Sequence, residues 1–149
     1  MERIAIKYGI YMFLGFLLVF GIVHILGLSA NYHFRLINGV IEGVFIWLAL
    51  RANLKEHTFD ARATLNNYPS NVGLGMLTAA VGIIPFAICI AIYLSVNTEF
   101  LASLREASSI GEYLTPISAG FILTAEGAAF SIIVSYIMNR ALEQQKFPD

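Results

Sequence analysis

Four long runs of apolar residues divide the chain, and polar stretches separate them. Each run has roughly the 20 residues that an α-helix needs to cross about 30 Å of hydrocarbon. Membrane-spanning strands would be about 10 residues long with alternating polarity, which none of the runs shows. The pattern therefore predicts an all-α fold, a four-helix transmembrane bundle in a single domain over residues 1–149. The predicted helices cover about residues 8–28, 31–50, 72–96 and 114–138.

Composition favours the bilayer as the solvent for much of this chain. Hydrophobic residues make up 58% of the sequence and charged residues 13%, against about 25% charged in soluble domains. The net charge of −1 gives no general attraction to nucleic acid. A signal peptide is an alternative for the first run, since Arg3 and Lys7 precede it, but the run is longer than the usual core of about 7–15 residues.

Basic residues cluster at one end of the predicted bundle. Seven of the nine lie before the first helix, between the second and third, or after the fourth, while Arg35 and Arg105 lie at the other end. The positive-inside rule then predicts that both termini are cytoplasmic. Glu42-Gly43 and Glu126-Gly127 lie at similar positions in helices two and four, which predicts two helical hairpins related by a parallel repeat, as in some transporter folds.

The connecting segments differ in their predicted structure. A tight turn around residues 29–32 joins the first two helices. The first part of residues 51–71 can extend the second helix into water, and this segment ends at a turn signal over residues 66–71. Residues 97–112 fit either a short amphipathic helix on the outer surface or a solvated loop. Pro85 lies inside the third helix and predicts a kink, because it removes one backbone hydrogen bond.

Two glutamates near the middle of the predicted helices are the most informative side chains. Placing an acid at the bilayer centre costs about 2.5–3.5 kcal/mol, so such residues usually face the bundle interior, neutralised or paired. Asn38 lies one turn before Glu42 and is expected to hydrogen-bond it, with Arg35 a further turn outward. Glu126 has only apolar neighbours three and four residues away, so its partner must come from another helix, another subunit or a ligand. His24 is a further candidate for this network, and if the two carboxylates meet, one is expected to be protonated.

Small residues form a line along the fourth predicted helix. They recur at alternating four- and three-residue spacing, which lets another helix approach closely, either within the chain or from a partner. The line comprises Gly120, Thr124, Gly127, Ser131 and Ser135.

No motif of a soluble enzyme is present. The chain has no P-loop, no His-Glu-x-x-His and no nucleophile elbow. No two of the three histidines are spaced so that they could bind one metal ion from the same helix face. The single Cys89 lies in an apolar run, where we expect it to be a small buried residue. We therefore expect no catalytic site, no metal and no cofactor.

Four stretches of the chain form a recognisable layout: Lys7-Tyr8-Gly9, the region from Gly39 to Trp47, Val72-Gly73-Leu74-Gly75 after a polar linker, and the final FSIIVSYIMNR. This layout resembles a group of small bacterial four-helix membrane proteins that are known only as a domain of unknown function. The resemblance covers nearly the whole chain and implies a bacterial inner-membrane protein with no established chemistry.

Three functions are compatible with these features. The first is a non-enzymatic membrane protein that acts through helix packing in the lipid bilayer, as a homo-oligomer or as an accessory subunit of other membrane proteins. The second is a small proton- or cation-coupled transporter that uses Glu42 and Glu126. The third, which no motif supports, is a membrane enzyme acting on lipids.

Overall fold

The computed structural model describes residues 1–27, 35–56 and 67–146, without the side chains of Arg35 and Lys146. These residues form five α-helices and one short 3-10 turn, with no strand among them. The helices are α1 (Glu2–Ile25), α2 (Arg35–Glu56), α3 (Tyr68–Val96), α4 (Thr98–Ala107) and α5 (Pro116–Lys146), and the 3-10 turn is Gly111–Tyr113.

Four of the described helices, α1, α2, α3 and α5, are long and apolar enough to cross a membrane. This confirms the predicted all-α fold and the four helices of spanning length. The membrane side of the termini and the parallel repeat stay predictions. Residues 1, 56, 68 and 146 mark one end of the bundle, which we call the terminal end, and the opposite end, which carries α4, we call the α4 end.

The helices extend beyond the apolar runs that predicted them. Helix α1 begins at Glu2 and α5 continues to Lys146, because charged and polar residues can continue a helix past its hydrocarbon span. Helix α2 reaches Glu56 and so covers the first part of its predicted extension. The rest of that extension up to residue 66, and the predicted turn at residues 29–32, lie outside the described residues. The short helix predicted within residues 97–112 is present as α4.

Glycine allows α1 and α3 to pack closely. A Cβ atom at Gly9 would lie 2.6 Å from the Cβ of Val81 and 2.8 Å from the carbonyl oxygen of Thr78. Further along the same contact, a Cβ at Gly82 would lie 2.8 Å from the Sδ of Met12. Helix association in lipid depends on such close van der Waals packing, because lipid is as apolar as the side chains.

The small-residue line of α5 packs against α3 within the chain. A Cβ at Gly120 would lie 3.3 Å from the carbonyl oxygen of Ala87, and Gly127 leaves no room for a Cβ beside Ile83. Ser135 occupies the space that a side chain at Gly75 would need. Its neighbour in the line, Ser131, is also buried and donates to the Ala128 carbonyl on its own helix. These residues therefore hold α5 to α3.

Candidate functional site

A cleft of about 940 Å³ lies between α2 and α5. Phe16 of α1 and Ile83 and Phe86 of α3 contribute to its lining. Along α2 it extends from Leu36 to Trp47, which corresponds to about 16 Å at a rise of 1.5 Å per residue. We call it the α2–α5 cleft.

The lining residues on α2 include an exposed aliphatic stripe. Leu36 and Val40 are each 65% exposed, and Val44 is 48% exposed. Across the cleft, Phe130 of α5 is 39% exposed. Because these exposed side chains lie on the sides of two helices of spanning length, the cleft is accessible from the side of the bundle.

Glu42 places a carboxylate inside this largely apolar cleft. Its side chain lines the cleft but is only 4% exposed, and its Oε1 atom has no hydrogen-bond partner among the described residues. The predicted hydrogen bond from Asn38 is wrong, because none joins the two side chains in the described part of the chain. Residues four apart on a helix meet only when their rotamers point at each other, which spacing alone does not decide.

Glu126 lines the same cleft at a different depth. Gly39 lies beside Phe130 and Gly43 beside Val134, so Glu42 is level with about residue 133 of α5. Glu126 therefore lies about 10 Å nearer the α4 end along the helix axis. Its side chain is exposed, not turned into the bundle interior as predicted, because the interior face of α5 is occupied by the small-residue line. The two carboxylates therefore line the same cleft at different depths and do not meet.

His24 lies in an aromatic cluster at the α4 end, and its place in a network with the glutamates stays a prediction. Its Nε2 lies 2.8 Å from the hydroxyl of Tyr93, which also accepts a hydrogen bond from Asn97 at 2.8 Å. The rings of Phe20 and Phe100 pack against the imidazole, with centroids at 5.7 and 5.4 Å. The face of α1 that carries His24 thus meets α3 and α4 instead of α2. Arg35 begins α2, and its side chain lies outside the described part.

A buried chain of three amides joins α2, α3 and α5 near the terminal end. Asn53 donates to the Oδ1 of Asn71 at 3.3 Å, and Asn71 donates to the Oδ1 of Asn139 at 2.7 Å. All three side chains are at most 3% exposed. The pattern of the sequence did not predict this chain. The available signal was one asparagine within the last two turns at the terminal end of α2, α3 and α5.

A second polar group lies beside the amides, closer to the terminal end. The hydroxyl of Tyr68 donates to the carboxylate of Glu143, which also pairs with Arg140 at 2.8 Å. The Arg140 side chain is 53% exposed, so this pair contributes little stability by itself. Both polar groups tie helices together, and neither lines the cleft.

The α2–α5 cleft has few polar groups in its lining. Its polar side chains are Asn38, Glu42 and Glu126, beside the indole N–H of Trp47. In the described part of the chain no group of three or more His, Cys, Asp or Glu residues is arranged to hold a metal ion. Carboxylates in an apolar wall are suited to a partner that brings a cation or a hydrogen-bond donor.

The fold and the cleft together indicate a helical membrane protein with an acidic lateral cleft. Comparison with known proteins does not define the class further. No family model, no curated protein and no solved structure matches the chain. The resemblance to the bacterial four-helix group therefore stays a prediction.

Proposed function

We propose that this chain is a non-enzymatic multi-pass protein of the bacterial inner membrane, with both termini cytoplasmic. It acts by packing against other transmembrane helices, as a homo-oligomer or as an accessory subunit. The observation that supports this most is the exposed stripe of α2 formed by Leu36, Val40 and Val44, which lies beside two glycines that the chain's own packing does not require.

The two glycines on α2 differ from Gly9, Gly82 and Gly127, where an added Cβ would clash with a neighbouring helix. A Cβ at Gly39 would lie 3.5 Å from the Phe130 ring, and one at Gly43 would lie 3.8 Å from Val134. These are ordinary van der Waals distances, so alanine would fit at either position. The α5 line that was predicted to receive a neighbouring helix is already packed on α3, whereas the stripe of Leu36, Val40 and Val44 is exposed. The α2 stripe is therefore the face that we assign to a partner helix.

Disulfide crosslinking between protomers tests this face. In a Cys89→Ala background, Val40→Cys is expected to crosslink in lipid nanodiscs, because a two-fold axis brings the same residue of both protomers together. Ile84→Cys on α3 is the matched control, since Ile84 is 45% exposed and lies at a similar depth, given that Ile46 of α2 lies beside Gly75 of the antiparallel α3. If Val40→Cys crosslinks no more than Ile84→Cys, α2 is not the packing face of a homo-oligomer.

A proton- or cation-coupled transporter is the second candidate, because Glu42 and Glu126 line the same cleft. Transport requires a titratable or charged group at Glu126, whereas helix packing requires none there. In proteoliposomes, Glu126→Gln abolishes proton flux if the protein is such a transporter. Flux that is absent from the wild type, or unchanged in the variant, excludes this role for Glu126.

A further inference from the structure

The size of the α2–α5 cleft matches a small molecule better than a complete helix. Small-molecule sites in proteins have volumes of about 300–1,000 Å³, and the cleft has about 940 Å³. A helix about 10 Å across and 16 Å long would occupy about 1,300 Å³. A partner helix on the α2 stripe can therefore cover the mouth of the cleft, but its backbone does not fit inside.

The polar chemistry of the cleft is acidic. Glu42 and Glu126 line it, and no basic side chain is found among the described lining residues. The Oε1 atom of Glu42 is a buried acceptor without a hydrogen-bond partner in the described part of the chain, which is costly in an apolar surrounding. An occupant that brings a positively charged donor satisfies this oxygen and balances its charge.

The position of Glu42 along the cleft defines the shape of the occupant. It lies near the middle of the stretch from Leu36 to Trp47, so apolar wall continues on both sides of the carboxylate. Glu42 is also about 10 Å along the axis from the first residue of α2, which is deeper than a bilayer headgroup normally lies. The nearby rings of Phe16 and Phe86 provide an apolar surface that also favours cations.

We propose that the α2–α5 cleft binds a membrane-soluble amine whose ammonium group donates a hydrogen bond to Glu42 and whose two apolar arms lie along the cleft. The ligand is a free amphiphile and not a lipid headgroup. This inference stands on the buried carboxylate and the cavity, and it does not depend on crosslinking through Val40. The two proposals can therefore fail separately.

Binding of dihexylamine to the protein in phosphatidylcholine nanodiscs tests this site. Trp47 is the single tryptophan of the chain and lines the cleft, so its fluorescence reports occupancy. Glu42→Gln is expected to weaken binding of the amine about tenfold, equivalent to 1.4 kcal/mol. Dihexyl ether, which has the same shape without a cationic donor, is expected to bind wild type and variant equally.

Three controls make the result decisive. Empty nanodiscs measure partition of the amine into lipid, and Glu99→Gln, an exposed carboxylate on α4, is expected to leave binding unchanged. If Glu42→Gln does not fold, Glu42→Asp serves instead, because it keeps the charge but shortens the reach and is expected to weaken binding of the amine alone. Equal amine affinity in wild type and the Glu42 variant, no binding by the wild type, or displacement by added phosphatidylethanolamine would each overturn the proposal.

Discussion

Gly9 lies at a close approach of α1 and α3, and Gly9→Ala tests whether that approach stabilises the bundle. The new Cβ would lie 2.6 Å from the Cβ of Val81 and 2.8 Å from the carbonyl oxygen of Thr78. Neither atom can move by rotating a side chain, because one is a backbone oxygen and the other is fixed directly to the backbone. The two helices must therefore separate.

The distance by which α1 and α3 must separate determines how much Gly9→Ala destabilises the bundle. Restoring even the short limit of ordinary contact, 3.4 Å, from 2.6 Å requires a separation of about 0.8 Å at Gly9. Overpacking of this kind costs about 1–3 kcal/mol. Gly21→Ala on the same helix is the matched control, because a Cβ there has nothing within 4 Å and alanine is favoured over glycine in a helix by about 0.5–1 kcal/mol. Because this gain applies to both variants, they should differ by the overpacking cost alone, about 1–3 kcal/mol in the free energy of unfolding.

Titration with sodium dodecyl sulfate in bicelles, followed by helical circular dichroism, measures this difference. The expected order of unfolding midpoints is Gly9→Ala below wild type, and Gly21→Ala at or above wild type. If Gly9→Ala unfolds at the same midpoint as Gly21→Ala, the close packing of α1 on α3 does not stabilise the bundle as argued.

Two further predictions concern the polar groups at the two ends of the bundle. Asn71→Leu removes both amide hydrogen bonds of the buried chain and is expected to lower the free energy of unfolding by about 1–3 kcal/mol in the same titration. Met76→Leu, on the exposed side of α3, is the control and is expected to change it little. Equal unfolding midpoints for the two variants would contradict this prediction. Tyr93→Phe removes the hydroxyl shared by His24 and Asn97, so hydrogen exchange in α4 is expected to accelerate severalfold while exchange at the terminal end stays unchanged. Unaltered exchange in α4 would show that this hydroxyl does not hold α4.

The hydrophobic pattern predicted the four spanning-length helices because backbone hydrogen bonds must be satisfied within each helix when lipid surrounds it. The hydrophobic pattern predicted the ends of the helices less accurately than their presence. Apolar residues mark only the hydrocarbon span, whereas α1 begins six residues earlier than predicted, at Glu2, and α5 continues to Lys146. The charged residues of these extensions can lie in the interface or in water, where hydropathy carries no signal for the end of a helix.

The side-chain partners were harder to predict than the helices. Spacing along one helix suggested Asn38 as the partner of Glu42, but the rotamers of both residues decide that contact. The partner of His24 is Tyr93 on another helix, and its identity depends on how α1 is rotated against α3. The amide chain through Asn71 was missed for the same reason, since it becomes visible only when residues far apart in sequence are brought to one depth.

The location of the α2–α5 cleft follows from where the close helix contacts lie. Glycines bring α1 onto α3, and the small-residue line brings α5 onto α3, whereas α2 contacts α3 through Ile46 near its middle and through Asn53 near the terminal end. At the α4 end, the aromatic cluster around His24 joins α1, α3 and α4. Between α2 and α5 the contacts are looser, since a Cβ at Gly39 or Gly43 would fit beside Phe130 or Val134, and the cleft lies between these two helices. Glu42 lines that cleft, and its Oε1 atom has no hydrogen-bond partner among the described residues. A buried acid with such an oxygen is the kind of inconsistency expected at a functional site, which is why the cleft carries the ligand proposal.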